Sequence, residues 1–100
     1  MNMYAVVKFW DSFLMLCKCR KGPGFGKILI KEIIQTEEIG SAPPPVFEYN
    51  AEESCYYWTS SSVSHEIFPL VAHKNVTAIA IQSFDSDDDA KLWFEMEYNL

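Results

Sequence analysis

The chain has no stretch approaching the roughly 18 uninterrupted apolar residues that a membrane-spanning helix requires, so a membrane protein of that kind is excluded and a soluble one expected. Basic residues are scarce. Eight Lys and Arg stand against fourteen Asp and Glu, a formal charge of −6, which repels phosphate backbones and suits a basic partner. Direct nucleic-acid binding is thereby disfavoured. Cysteine is both sparse and odd in number. Cys17, Cys19 and Cys55 cannot all pair within one chain, and residues 1–10, though apolar, lack a basic n-region and are broken at Lys8, so they read as a strand and not a secretion signal. A reducing, cytoplasmic setting is the expectation.

The material that is present suffices for a core. One hundred residues is the size of one domain, and 49% apolar with 15% aromatic content gives enough burial to offset the ordering entropy that leaves polar chains disordered. Residues 3–10 and 13–20 are two runs of strand length joined through Asp11-Ser12, the spacing of a hairpin. In the second run, period two sets Phe13, Met15, Cys17 and Cys19 on one face, expected to be the core face, and Leu14, Leu16, Lys18 and Arg20 on the other. Residues 27–38 are ambiguous: Ile30, Ile33, Ile34 and Glu37 also sit at helical offsets, but the isoleucines favour a long strand. Residues 3–38 then form an antiparallel meander.

Gly40-Ser-Ala-Pro-Pro-Pro45 is linker-like, since successive prolines impose extended backbone without ladder donors. Short strands are expected at residues 46–50 and 55–59, a loop or helix start at 60–64, and only a broken helix at 64–69, before Pro69. The last quarter is the most legible. Residues 76–84 are apolar on both faces and β-branched, the pattern of a central strand. Asp85 or Ser86 then caps a helix whose first turn holds Asp87, Asp88 and Asp89, where the positive end of the macrodipole favours acids. A broad arc of Ala90, Trp93, Phe94, Met96, Tyr98 and Leu100 should dock it. The fold class is α+β: one domain at residues 1–100, an antiparallel sheet of four to six strands with a C-terminal helix on one face.

No unambiguous catalytic, metal or nucleotide signature stands out. Cys17 and Cys19 with His65 and His73 would be four zinc ligands, but their spacing is not that of a structural zinc site, and buried thiols are the better reading. Cys55 with a histidine is the corresponding candidate for a cysteine enzyme, though no local motif surrounds it. Gly22-x-Gly24-x-Gly26 resembles a fragment of a phosphate loop, but Pro23 removes an amide and a turn explains the glycines. The basic cluster of Lys18, Arg20, Lys21 and Lys27 either holds an acidic partner or solvates a hairpin end. Asp85-x-Asp87-Asp88-Asp89 lacks the glycine and bidentate glutamate of a calcium loop. No cofactor and no metal are expected.

Two surfaces remain as partner-binding candidates. One is acidic: Asp85, Asp87, Asp88, Asp89 and Glu95, which joined to Glu37, Glu38, Glu48, Glu52, Glu53 and Glu97 could imitate a nucleic-acid backbone toward a basic groove. The other is aromatic: Tyr56, Tyr57 and Trp58, residue types enriched at interface hot spots, which also allows a homodimer. The tail Phe84-Asp85-Ser86-x-x-x-Ala90-x-x-Trp93-Phe94, entering from an apolar strand, resembles the ending of small phage-encoded proteins, including some anti-CRISPR proteins with an antiparallel sheet and few helices. The resemblance covers about 25 residues. It implies an inhibitor in the host cytoplasm that binds a bacterial defence complex, with no catalytic residues to carry over. The expectation is a non-catalytic protein-binding module; the alternatives are a small cysteine-dependent enzyme or a metal-binding regulatory domain.

Overall fold

Strands β1 (Asn2–Phe9), β2 (Phe13–Lys21) and β3 (Ile28–Glu38) form the expected antiparallel meander. The computed structural model describes residues 1–22, 28–43, 46–59, 65–66 and 76–100, with the backbone alone at 57–59, 65–66 and 76–77. Outside the described residues lie the glycine turn at 23–27, the last two linker prolines, the serine run at 60–64 and the histidine turn at 73–75. Strands β4 (Val46–Asn50) and β5 (Cys55–Thr59) make a second hairpin. At its turn Asn50 Oδ1 accepts from the amides of Glu52 and Glu53, at 3.0 and 3.1 Å. Strand β7 (Val76–Phe84) and helix α1 (Asp87–Glu97) end the chain. The sheet order is β4-β5-β3-β2-β1-β7, antiparallel throughout, with the two-residue β6 (His65–Glu66) pairing β5 at Trp58 and Thr59. Residues 65–66 are thus strand and not the start of a broken helix, because β5 offers them ladder partners.

The chain folds as one α+β domain with a Cα radius of gyration of 12.9 Å, near the roughly 13 Å of a compact 100-residue domain. Its core has two sides. Ala5, Val7, Phe9, Phe13, Met15, Cys17, Cys19, Ile28 and Ile30 share one cluster, while Tyr4, Val6, Leu14 and Leu16 face the other way with Ala90 and Phe94 of α1. Leu14 and Leu16 are therefore buried as deeply as the cysteine face. The first side is closed by curling of the sheet. Phe47 on β4 meets Phe9 on β1 edge-to-face with ring centroids 5.3 Å apart, although β5, β3 and β2 stand between them in the sheet order.

Bulges support that curl, because an extra residue strengthens local twist. Opposite β2, register jumps leave Lys31 and Ile34 unpaired on β3. The jump at Lys31 returns Ile33 to the face of Ile30, and the jump at Ile34 turns that side chain toward α1. A three-residue spacing that looks helical is thus a strand carrying two bulges.

The β1–β2 connection has three residues, Trp10, Asp11 and Ser12, because Phe9 pairs Phe13 and Trp10 turns at φ 37°. Ser12 ties this turn to the end of β3: its carbonyl accepts from Ile39 and Gly40 at 2.7 and 3.2 Å, and its Oγ from the Ala42 amide at 3.2 Å. A Cβ at Gly40 would lie 2.8 Å from both Asp11 O and Ser12 Oγ, so this close approach admits only glycine.

Two readings of the C-terminal segment are corrected. β7 is an edge strand in the described structure and not a central one, with Ile79 42% and Ile81 36% exposed. The register with β1 jumps between Val6 and Val7, leaving Ile79 as the extra residue of a bulge. Ala80 consequently packs toward α1 and Ala78 toward the opposite core. The docking face of α1 is also narrower than expected. Ala90 and Phe94, four apart, are fully buried and Trp93 and Tyr98 flank them, whereas Met96 is 71% exposed and Leu100 lies outside. Phe94→Ala should therefore cost about 3–5 kcal/mol in a denaturant titration, and Met96→Ala less than about 0.5 kcal/mol.

Candidate functional site

Ser86 caps α1: its Oγ accepts from the Asp89 amide at 3.2 Å. The helix closes with a Schellman arrangement in which the Leu100 amide donates to Glu95 O at 2.9 Å past Asn99 at φ 56°. Ser86 and not Asp85 is thus the cap, and Asp87, Asp88 and Asp89 occupy the first turn as expected. The three aspartates do different work. Asp87 turns toward the sheet, where its Oδ1 accepts from the Tyr4 hydroxyl at 2.6 Å and lies 3.1 Å from Lys18 Nζ. Lys18 also reaches Glu32 at 3.5 Å and sits 5.9 Å from the Tyr4 ring centroid.

This cluster shifts all three of its principal groups. The bonds from Tyr4 and Lys18 hold Asp87 below its ordinary 3.8. Burial, reinforced by Asp87, pushes Tyr4 above 10.0, and the carboxylate beside it holds Lys18 above 10.5 despite partial burial. The sequence alone missed the cluster. Its signal was Lys18 itself, since a cation sharing a strand face with Leu14 and Leu16 requires a counter-ion once that face is covered.

Asp85 and Asp89 remain at the surface. They rim a groove of about 430 Å³ between the end of β7 and α1, lined also by Met1, Ser83, Phe84, Leu92, Trp93 and Met96. Its floor is aromatic, with the Phe84 and Trp93 rings 5.3 Å apart. Leu92 is 58% exposed, so with Met96 it leaves apolar surface standing in water. Helix α1 as a whole carries five carboxylates against the single ammonium of Lys91, with no base in its last turn. Asp88 and Glu95 are exposed on this helix but outside the groove lining.

The aromatic candidates lie elsewhere. Tyr56, Tyr57 and Trp58 are on β5, separated from β7 by β3, β2 and β1 in the sheet order. Tyr56 is half-buried against the first core cluster and meets the Tyr49 ring at 4.9 Å; the side chains of Tyr57 and Trp58 lie outside the described residues. In the strand order the acidic and aromatic candidates thus stand on elements that are not neighbours. Of the basic cluster, Lys18 is committed to Asp87 and Glu32, and Arg20 Nη2 donates to Glu53 O at 2.9 Å.

The three cysteines are free and buried. Burial pushes the Cys17 thiol far up, with a 3.5 Å contact to Ala5 O, and Cys19 up to about 11. Raised in this way, the Cys17 and Cys19 thiols favour the protonated form near neutrality. Among the described residues no three His, Cys, Asp or Glu side chains converge as a metal site, and no helix is long and apolar enough to cross a membrane. No protein-family model matches the chain, and no curated protein or solved structure matches it.

The shifted groups give stability a defined pH dependence. Asp87, depressed in the fold, contributes above 3.8 and its contribution disappears as pH falls through the lowered value. Tyr4 and Lys18, raised, contribute below about 10 and lose that contribution as pH climbs through their folded values. Chemical denaturation of wild type and Asp87→Asn should accordingly differ most across the neutral plateau, the two curves converging below pH 3.8. A constant difference down to about pH 2 would show that the Asp87 charge contributes nothing.

Proposed function

We propose that the chain is a non-catalytic protein-binding module whose acidic surface, centred on the groove between β7 and α1, takes a basic protein partner. The observation that carries this reading is a groove in which exposed Leu92 and Met96 and half-buried Phe84 and Trp93 share the lining with two carboxylates, Asp85 and Asp89. Apolar surface left in water beside fixed charge is the composition of an interface, with the ring surface supplying burial and the rim selecting charge. Asp88 and Glu95 extend the negative field beyond the rim and favour approach of a cationic patch. Asp87 is left out of the contact surface because its carboxylate is engaged by Tyr4 and Lys18.

A partner whose basic surface handles nucleic acid fits this field, and occupying that surface would inhibit it. Inhibition in a cytoplasmic setting is thus the proposed consequence, consistent with the resemblance of the tail to small phage-encoded inhibitors. The test is affinity capture from the native host with wild type and with Asp85→Asn/Asp89→Asn, followed by mass spectrometry and titration of the captured protein. Neutralising two rim charges should weaken association by about 1–2 kcal/mol, roughly five- to thirtyfold, and added salt should weaken wild type more than the variant. Far-UV circular dichroism establishes that the variant keeps its helix. Equal capture by a folded variant, insensitive to salt, would overturn the acidic-surface reading.

A further inference from the structure

Besides the two-residue β6, three stretches of strand have no neighbour on one side among the described residues: β3 beyond its single pairing at Ile30, the outer side of β4, and the outer side of β7. An open edge invites pairing with another chain, and proteins commonly block it with charge or proline. β3 carries Lys31, Glu32, Glu37 and Glu38, and β4 carries Glu48 just after the proline run. β7, by contrast, reads VTAIAIQSF, nine residues without a charge or a proline.

The bulge at Ile79 protects only part of this edge. Beyond it, residues 80–84 run in unbroken register against residues 2–6 of β1, with Ile81, Gln82 and Ser83 exposed. That regular stretch ends at the groove, since Ser83 and Phe84 belong to its lining. A strand laid against residues 80–84 would project alternate side chains at about 7 Å intervals along the sheet, one set toward the α1 side. There an apolar side chain would meet Phe84, Trp93 and Met96, and a cationic one Asp85 and Asp89.

We infer that β7 receives an extended basic segment of the partner as an added strand along residues 80–84, with its α1-side side chains seated in the groove. The inference rests on the protein-binding reading and specifies its mode. Backbone pairing supplies affinity without demanding sequence, while the groove and its carboxylates choose apolar and Lys or Arg side chains two residues apart, on the α1-facing side of the added strand. Net charge favours this occupant over a second copy of the chain, which would bring a further −6 to the acidic rim.

The test uses the full chain and the seven-residue peptide Val-Thr-Lys-Thr-Val-Thr-Lys, whose alternate positions place valine and lysine together on one face, with the same peptide N-methylated at every interior amide. Strand addition predicts that the unmethylated peptide slows hydrogen exchange of the amides among residues 80–84 that point away from β1 by tenfold or more, and that methylation weakens binding at least tenfold. Equal binding of both peptides, with shifts at Leu92, Trp93 and Met96 but no protection at 80–84, would overturn strand addition and leave the groove as a binding site. Binding of neither peptide would overturn the basic occupant and count against the protein-binding reading as well. Protection at 80–84 that rises with protein concentration in the absence of peptide would assign the edge to a second copy instead.

Discussion

The hydroxyl of Tyr4, fully buried beneath α1, has to find an acceptor there, and it finds the carboxylate of Asp87 at 2.6 Å. An unpaired hydroxyl at that depth would cost about as much as a good core side chain contributes. Lys18 presents the same problem with a full charge, and the same oxygen answers it at 3.1 Å. One carboxylate in the first turn of the helix thus satisfies a donor from β1 and a cation from β2 at once. It also sets where the helix begins over the sheet, and hence which of its side chains reach the core.

Phe94 and Ala90 fall onto Tyr4, Val6, Leu14 and Leu16, and Trp93 falls beside Phe84 at the margin. Leu92 and Met96 are then left outward, and with Asp85 and Asp89 they make the groove. The acids at the start of the helix accordingly differ: the carboxylate of Asp87 is engaged by the sheet, while Asp85, before the cap, and Asp89 stay at the surface. β1 and β2 are apolar on both faces, so the opposite face needs a cover too, and the bulged, curled sheet brings Phe47 over Phe9 to provide part of it.

Much of this was legible in the residues. The strand runs, the cysteine face of β2, the serine cap and the acidic first turn all follow from local chemistry that the tertiary structure leaves in place. The ambiguity over residues 27–38, settled as the expected strand, and the misplacement of β7 have a common cause. The offsets of Ile30, Ile33 and Ile34 are compatible with a helix, and the alternation in β7 looks two-sided, because bulges at Lys31, Ile34 and Ile79 insert residues that period-two counting cannot anticipate. The helical wheel overreached similarly: Met96 lies within a broad apolar arc, but the sheet beneath α1 is wide enough to bury only Ala90 and Phe94 completely. That three strands stand between β5, with the aromatic candidates, and β7 was not legible, since strand order depends on long-range pairing.

The reading of function follows from that division of labour, in which satisfied groups hold the helix in place and unsatisfied apolar surface lies beside the charges left over. Its foundation is the bond between Tyr4 and Asp87, and a double-mutant cycle with Tyr4→Phe and Asp87→Ala measures it most directly by equilibrium denaturation at neutral pH. A hydrogen bond to a partly exposed carboxylate predicts a coupling of about 1–2 kcal/mol. Additive losses, with coupling near zero, would contradict the account.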